Sequence, residues 1–298
     1  MNEFFQQSVN ALSLGSTYAL LALGLAIVFS ILGMINFAHS ELLTLGGYAL
    51  WGLTAAGVPF LFAALGAIVA AGLIAVLMER IAFRPFRGSG PVTLLITSFA
   101  VGFLIQSLLS LSASEEPAHA VAIPDWLSST VNLFGLNVPA LQLVTMAVTA
   151  ACLAAVVLFL KRTLLGVAMR AAADDFDVVR LMGVRADRVV AAAFALSGAL
   201  AGVAAVLAVA QAGSVDPTTG VSPTIKAFIA VVLGGLGSLG GAVAGGLLLG
   251  ALEVLLQATL PDAWLPYRDA LVLTLVVIVL LARPSGLLAR RSTAEAAI

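Results

Sequence analysis

Residues 189–211 read VVAAAFALSGALAGVAAVLAVAQ, twenty-three consecutive positions with no charged side chain. The hydrocarbon core of a bilayer is about 30 Å thick, and a helix crosses it with about 20 apolar residues. The stretch therefore predicts a membrane-spanning helix. Outward from it, comparable runs lie near 10–32, 37–56, 60–82, 92–112, 138–160, 225–236, 239–259 and 265–282. A transmembrane barrel would instead alternate apolar and polar positions over segments of about 10 residues. These runs are continuous.

Composition points the same way. Of 298 residues, 61% are hydrophobic and 10% charged, against roughly 45–50% and about 25% in a soluble domain. A mean hydropathy of +1.13 leaves too little polar surface to cover a water-soluble globule. A soluble enzyme and a disordered scaffold are excluded. Lys and Arg number 14 against 15 Asp and Glu, so no basic excess exists to attract a nucleic acid. The single cysteine, Cys152, excludes a disulfide framework, and no Cys/His cluster offers a metal site. The chain is expected to be one transmembrane domain over 1–298: an all-α polytopic bundle of eight or nine transmembrane helices, including broken or re-entrant segments. Two runs carry that last expectation. The run 37–56 contains His39, Ser40, Glu41 and Gly46-Gly47, and the run 225–236 is short and reaches Gly234-Gly235.

Cations fix the sides through the positive-inside rule. Arg80, Arg84 and Arg87 follow the third run; Lys161, Arg162, Arg170, Arg180, Arg185 and Arg188 fill the gap after the fifth; Arg283, Arg290 and Arg291 lie at the end. An even number of spans separates these places, so all three are expected to be cytoplasmic. The loop 113–137 holds Glu115, Glu116 and Asp125 without Lys or Arg and is expected to face the periplasm. Met1–Gln7 lacks the basic start of a cleaved signal peptide, so the first helix is expected to be retained. If all three early runs cross, the N-terminus is outside; if 37–56 does not cross, it is inside. Glycines four apart at Gly198/Gly202, Gly241/Gly245 and Gly246/Gly250 let helix backbones approach closely in lipid, and are read as packing seams.

Three stretches are unlike ordinary spans. In 163–188, TLLGVAMRAAADDFDVVRLMGVRADR, the apolar positions Ala172, Phe176, Val179 and Gly183 recur at helical spacing, with Asp174, Asp175 and Asp177 ahead of Arg180. A short amphipathic helix between spans either lies on headgroups or inserts a ridge into a partner's groove. An alanine-rich face with one Phe favours docking. In SILGMINFAHSELLTLGGYALWGL, 30–53, Asn36, His39, Ser40 and Glu41 sit between apolar runs. Ionisable groups at membrane depth mark a pathway or a pairing, but the same residues suit a turn capping the next helix. The third, IKAFIAVVLGGLGSLGGAVAGGLLLGALE, 225–253, is broken twice by glycine, as discontinuous helices at permeation sites are. Its Ser238-Leu239-Gly240-Gly241 echoes Thr44-Leu45-Gly46-Gly47, and Glu253 is expected to be paired internally. Motifs of catalysis are absent: no phosphate-binding G-x-x-x-x-G-K-[ST], no H-E-x-x-H, no G-x-S-x-G, and only His39 and His119 as histidines.

Together these stretches resemble one family, the LivH-type permease subunit of bacterial ATP-binding-cassette importers for branched-chain amino acids. GMINFAHSE (33–41) is similar to its early signature, with Ser40 where the family usually has glycine. MRAAADDFDVVRLMGV (169–184) is similar to its coupling segment, AFIAVVLGGLGSLGGAVAGGLLLGALE (227–253) to its glycine-rich motif, and ARPSGLLAR (282–290) to its ending. The resemblance covers nearly the whole chain. It implies a multi-pass permease of the bacterial inner membrane that carries branched-chain or related hydrophobic amino acids by alternating access. It implies a second related permease, two cytoplasmic ATP-binding subunits and a periplasmic amino-acid-binding protein as partners. The chain would bind no cofactor and catalyse nothing itself, ATP and Mg being used by the partner ATPases. Coupling would rest on Arg170, Ala172, Asp174, Phe176, Val179, Arg180 and Gly183, with Phe176 and Val179 as the ridge that enters the ATPase groove. Asn36, Phe37, His39 and Glu41 would line the path, with Gly234, Gly235, Gly237, Gly240 and Gly241 opposite. Relatives of this kind also carry urea, amides or other amino acids, which the sequence does not separate. A more distant alternative, an ion-coupled secondary transporter, would have only Glu41, Lys226 and Glu253 as coupling groups and no use for 163–188.

Overall fold

The computed structural model describes residues 2–112, 118–133 and 136–288; Glu115, Glu116, Arg290 and Arg291 lie outside them. Among the described residues, nine long helices form the bundle: α1 (Asn2–Leu32), α2 (His39–Ala55), α3 (Phe60–Met78), α4 (Pro91–Ser112), α6 (Ala140–Arg162), α9 (Ala186–Ala212), α10 (Val221–Gly234), α11 (Leu239–Thr259) and α12 (Arg268–Ala282). Short helices α5 (Asp125–Ser128), α7 (Leu164–Asp174) and α8 (Phe176–Leu181) lie outside that set. Seven segments of the described residues are long and apolar enough to cross a bilayer unaided. The exceptions are α2 and α10, with 17 and 14 residues. At 1.5 Å per residue they reach only about 25 and 21 Å, and a non-helical stretch precedes each, 33–38 before α2 and 216–220 before α10. These are the two runs whose polar and glycine content marked them as broken.

Helices α1 and α9 are buried along most of their length, and α3, α4, α6 and α12 surround them with largely exposed apolar faces. A helix apolar all round belongs either in the core or in lipid, and this bundle contains both kinds. All three glycine pairs lie on helix–helix seams. A Cβ on Gly246 would stand 2.5 Å from the Ala19 nitrogen of α1, and one on Gly198 would stand 2.6 Å from the Ala71 oxygen of α3. Lipid supplies no hydrophobic drive between helices, so such close backbone packing has to hold them. Across α1, α10 and α11, the Tyr18 hydroxyl donates to Glu253 Oε2 at 2.8 Å, and the Lys226 ammonium lies 2.7 Å from Oε1 as an ion pair. Glu253 is thus paired internally, as expected.

Strands β1 (His119–Ala120) and β4 (Ser214–Val215) pair antiparallel on the face opposite the basic clusters. Beside them the hairpin of β2 (Thr130–Leu133) and β3 (Leu136–Pro139) joins Thr130 to Pro139. Gln142, just past this hairpin, donates to Asn10 Oδ1 at 3.0 Å, so the N-terminal end of α1 lies on that same face. Trp51 of α2 stacks on His119 at 4.0 Å, which brings the far end of α2 there as well.

On the basic face, the single helix expected through 172–183 is two helices. Asp175 adopts an extended backbone, φ −154°, ψ 106°, and its carboxylate accepts a hydrogen bond from the Val178 N–H at 3.0 Å. An Asp that can cap a new helix competes with continuing the old one. Helix α7 is itself capped by Thr163, whose hydroxyl accepts from the Gly166 N–H, and the chain leaves α8 through Gly183 at φ +79°.

Candidate functional site: a cavity at two interrupted helices

The chain leaves α1 through Gly33, at φ +63°, and turns back into the bundle instead of emerging. His39, the first residue of α2, packs against Gly24 of α1 and Ser197 of α9, both well inside their helices. Backbone exposed at such depth must find partners. The Phe37 N–H donates to Ser98 Oγ of α4 at 3.2 Å, and the Ala38 N–H to Asn36 Oδ1 at 3.1 Å. From the other side, residues 213–220 lead down to α10. Asp216 organises this descent, accepting from the Thr218 N–H and hydroxyl at 2.7 and 2.6 Å and from the Thr219 hydroxyl at 3.0 Å. Partial burial raises the Asp216 pKa, but the hydrogen bonds from Thr218 and Thr219 outweigh it, and the carboxyl sits below its ordinary value. The Gly220 N–H then donates to Thr44 Oγ1 at 3.1 Å. A Cβ at Gly220 would lie 2.0 Å from the Ser40 oxygen, so only glycine lets α10 begin against the first turns of α2.

Where the two helices begin, a cavity of about 320 Å³ opens towards α4. Asn36, Phe37, Ser40 and Glu41 line one side, Ser98, Phe99 and Phe103 a second, and Thr224 and Phe228 the third. Phe37 stacks on Phe99 at 4.4 Å and meets Phe228 at 5.8 Å. Five polar side chains on these walls are buried, Asn36, Ser40, Glu41, Ser98 and Thr224, and of these Asn36, Glu41 and Thr224 are 2%, 2% and 5% exposed. Asn36 Nδ2, Glu41 Oε2 and Thr224 Oγ1 have no hydrogen-bond partner. The other Glu41 oxygen is held, 3.0 Å from the Ser40 hydroxyl. Unsatisfied buried polar atoms are rare because each forfeits about 1–3 kcal/mol of solvation. Here three belong to residues that line one aromatic-walled cavity. The arrangement offers two donors and one acceptor to a small amphipathic molecule.

Of the residues expected on the path, Asn36, Phe37 and Glu41 line this cavity. His39 does not. It is fully buried on the opposite face of α2, its Nδ1 3.3 Å from Ser197 Oγ; a helix packed on both sides gives no periodic sign of which face is which. The glycines 234–241 are not opposite the cavity either. Gly234 and Gly241 form the crossing of α10 on α11, and Gly235 and Gly237 take φ of 110° and 85° in the turn between them. Gly240 belongs to the first turn of α11. The Leu287 and Leu288 N–H groups bind the Leu233 and Gly234 carbonyls there. Thr224 and Phe228 occupy the expected place instead. Their signal, with that of Ser98, was a polar residue or an aromatic beside an apolar run, too common to single out. Ser40, where the resemblance predicts glycine, is in the first turn of α2 in helical conformation, so serine is unstrained and that position is no glycine hinge.

At the basic face, Arg170, Asp174 and Arg180 are exposed, while Ala172 and Val179 are buried against this chain's own core and Phe176 is half-buried beside it. The expected ridge of Phe176 and Val179 therefore faces the bundle. Leu181, Met182 and Val178 face outward, 87%, 77% and 47% exposed. Period alone cannot say which side of an amphipathic helix meets its own protein. Nearby, Asp187 at the start of α9 bonds Arg84 and Arg87, both at 2.7 Å, and Arg87 also pairs with the buried Glu79. This cluster ties the end of α3 to the segment leaving α8.

The family model for the branched-chain amino acid transport system permease component matches residues 7–281. The chain is 37% identical over 96% of both chains to the high-affinity branched-chain amino acid transport system permease protein BraD of Pseudomonas aeruginosa. To the corresponding permease protein LivH of Escherichia coli it is 38% identical, again over 96% of both. Among solved structures, PsaBC from Streptococcus pneumoniae in complex with Fab shares the fold at TM-score 0.50 and 17% identity, covering 93% of this chain and 91% of that one. With the interrupted helices, the motif order and the length of the match in agreement, the chain belongs to the branched-chain amino acid permease family, as a multi-pass transport protein of the inner membrane.

Proposed function

We propose that this chain is the permease subunit of an ATP-driven importer that moves branched-chain amino acids across the inner membrane by alternating access. The basic face is cytoplasmic and receives two ATP-binding subunits. A second, related permease completes the pore, and a periplasmic binding protein delivers the substrate to the face carrying β1–β4. The chain holds no cofactor; ATP and Mg belong to the ATPases.

The observation that supports this reading is the exposed apolar ridge of Val178 and Leu181 on α8 and Met182 in the turn just after it, outside the bundle. Met169, Ala172 and Val179 root the same segment in the core, and α7 packs on α1, α6 and α9. A force on the ridge is thereby delivered to the two central helices. ATP has to favour one state of the bundle through contacts that differ between states, and a ridge anchored this way transmits that difference. Ion coupling is disfavoured by the Lys226–Glu253 pair, which occupies two of the three ionisable groups available to it.

Replacing Leu181 and Met182 by Asp tests the coupling assignment. In a mild-detergent pull-down the ATPases should be lost, while membrane insertion and the partner permease are kept. ATPases that stay bound would sink the assignment of this ridge.

A further inference from the structure

The cavity at the starts of α2 and α10 has a more definite meaning. We propose that it binds one free α-amino acid in its zwitterionic form: Glu41 Oε2 receives the ammonium group, Asn36 Nδ2 and Thr224 Oγ1 donate to the carboxylate, and Phe37, Phe99 and Phe228 surround an apolar side chain. The assignment rests on the importer reading and adds to it a ligand site within this chain.

Three independent features agree on that ligand. First, the unpartnered atoms are one carboxylate oxygen, one amide nitrogen and one hydroxyl, each on a side chain at least nine-tenths buried. A group carrying both a cation and an anion satisfies all three. A bare cation would leave the amide donor unused, and a carboxylic acid without an amine would meet Glu41 with like charge. Second, Ser40 and Glu41 lie in the first turn of α2, and Val221 and Thr224 in that of α10. Interrupted helices aimed at a cavity present positive dipole ends to an anionic group of the substrate, which suits the carboxylate. Third, the remaining wall is mostly aromatic and aliphatic, with Ser40, Ser98 and Gln106 as its other polar side chains, and about 320 Å³ falls at the small end of the range of roughly 300–1,000 Å³ for small-molecule sites. A sugar or urea would leave that wall without an apolar partner, whereas a branched aliphatic side chain fills it.

The test uses the whole importer in nanodiscs, with both permeases and the ATPases but without the binding protein, and measures binding of leucine, leucinamide and 4-methylpentanoate. These ligands keep the side chain and remove neither charge, the carboxylate or the ammonium in turn. Wild type should bind leucine best. Glu41→Gln should weaken leucine about tenfold or more and leave 4-methylpentanoate unchanged or tighter. Thr224→Val, nearly isosteric, should weaken leucine a few-fold and narrow its advantage over leucinamide, leaving assembly intact. Unchanged leucine affinity in both assembled variants overturns the site while the importer reading stands. A wild-type complex that couples ATP hydrolysis to no amino-acid uptake when its binding protein is restored overturns the importer reading itself.

Discussion

Two buried glutamates invite comparison. Glu253 and Glu41 are both 2% exposed in helices that cross the bundle. Around Glu253 both oxygens are engaged, by Tyr18 and Lys226, and three helices are tied together as a result. Around Glu41 one oxygen rests on a neighbouring serine and the other on nothing, beside an open cavity. A buried charge that is fully matched holds a fold together, whereas one left short of partners is kept for a visitor. The α10–α11 junction and the α2–α10 junction therefore do different work, although similar residue types build both.

The strongest way to break that contrast is to unpair Glu253. Lys226→Ala leaves a buried carboxylate with its counter-ion gone, a change that typically costs about 3–5 kcal/mol. The detergent-solubilised permease should lose most of its thermal resistance, whereas Glu41→Gln should melt close to wild type. If the two variants melt alike, the division into a structural and a receptive glutamate fails. Replacing the pair together, Lys226→Met with Glu253→Leu, should restore part of the loss, because no buried charge is then left without its counter-ion and only the Tyr18 hydroxyl loses its acceptor.

A smaller effect is expected at the basic face. Asp187 is 58% exposed, and exposed ion pairs contribute about 0–1 kcal/mol. Asp187→Asn should hardly move the melting temperature, yet it frees the end of α3 from the segment that leaves α8. ATP hydrolysis in the assembled importer should then depend less on delivered substrate; unchanged coupling would make the cluster a surface ornament. The smallest effect concerns the descent to α10. The Asp216 carboxyl lies below the ordinary 3.8 in the folded protein, so its contribution is complete above that value and is lost as pH falls through the folded pKa. Protease resistance of this loop should fall off only below about pH 4, and Asp216→Asn should remove that acid dependence.

Much of this contrast was legible in the chain. Run length marked the helices, because the thickness of a bilayer leaves little choice of length. The polar interruption at 36–41 and the shortness of 225–236 marked the two helices that start inside the bundle. Orientation about a helix axis was not legible. His39 and Glu41 are two residues apart on a helix buried all round, so one faces Ser197 and the other the cavity with no difference in pattern. The same ambiguity put Val179 on the wrong side of α8, where only the tertiary contacts distinguish it from Leu181. Glycine misled differently. In 234–241 it serves a turn and a helix crossing, which at the level of sequence look like a gate. Asp175 shows a local rule outweighing a periodic one, since a single capping carboxylate ended a helix that the apolar spacing would have carried on.

The central position of α1 also orders events in time. The helix leaves the ribosome before the other helices of the bundle, yet the partner of its Tyr18 hydroxyl lies 235 residues further along, in α11. At about 5–20 residues per second, the most deeply enclosed helix of the finished protein waits roughly ten to fifty seconds for α11, after α6 and α9 have already arrived. Its hydropathy of 2.0 makes lipid a tolerable waiting room, and Ser13, Ser16 and Thr17, buried at the end, begin as surface. Assembly of this permease is therefore closed from the inside by its late helices, and a nascent chain that stalls before α11 leaves its future core facing the membrane.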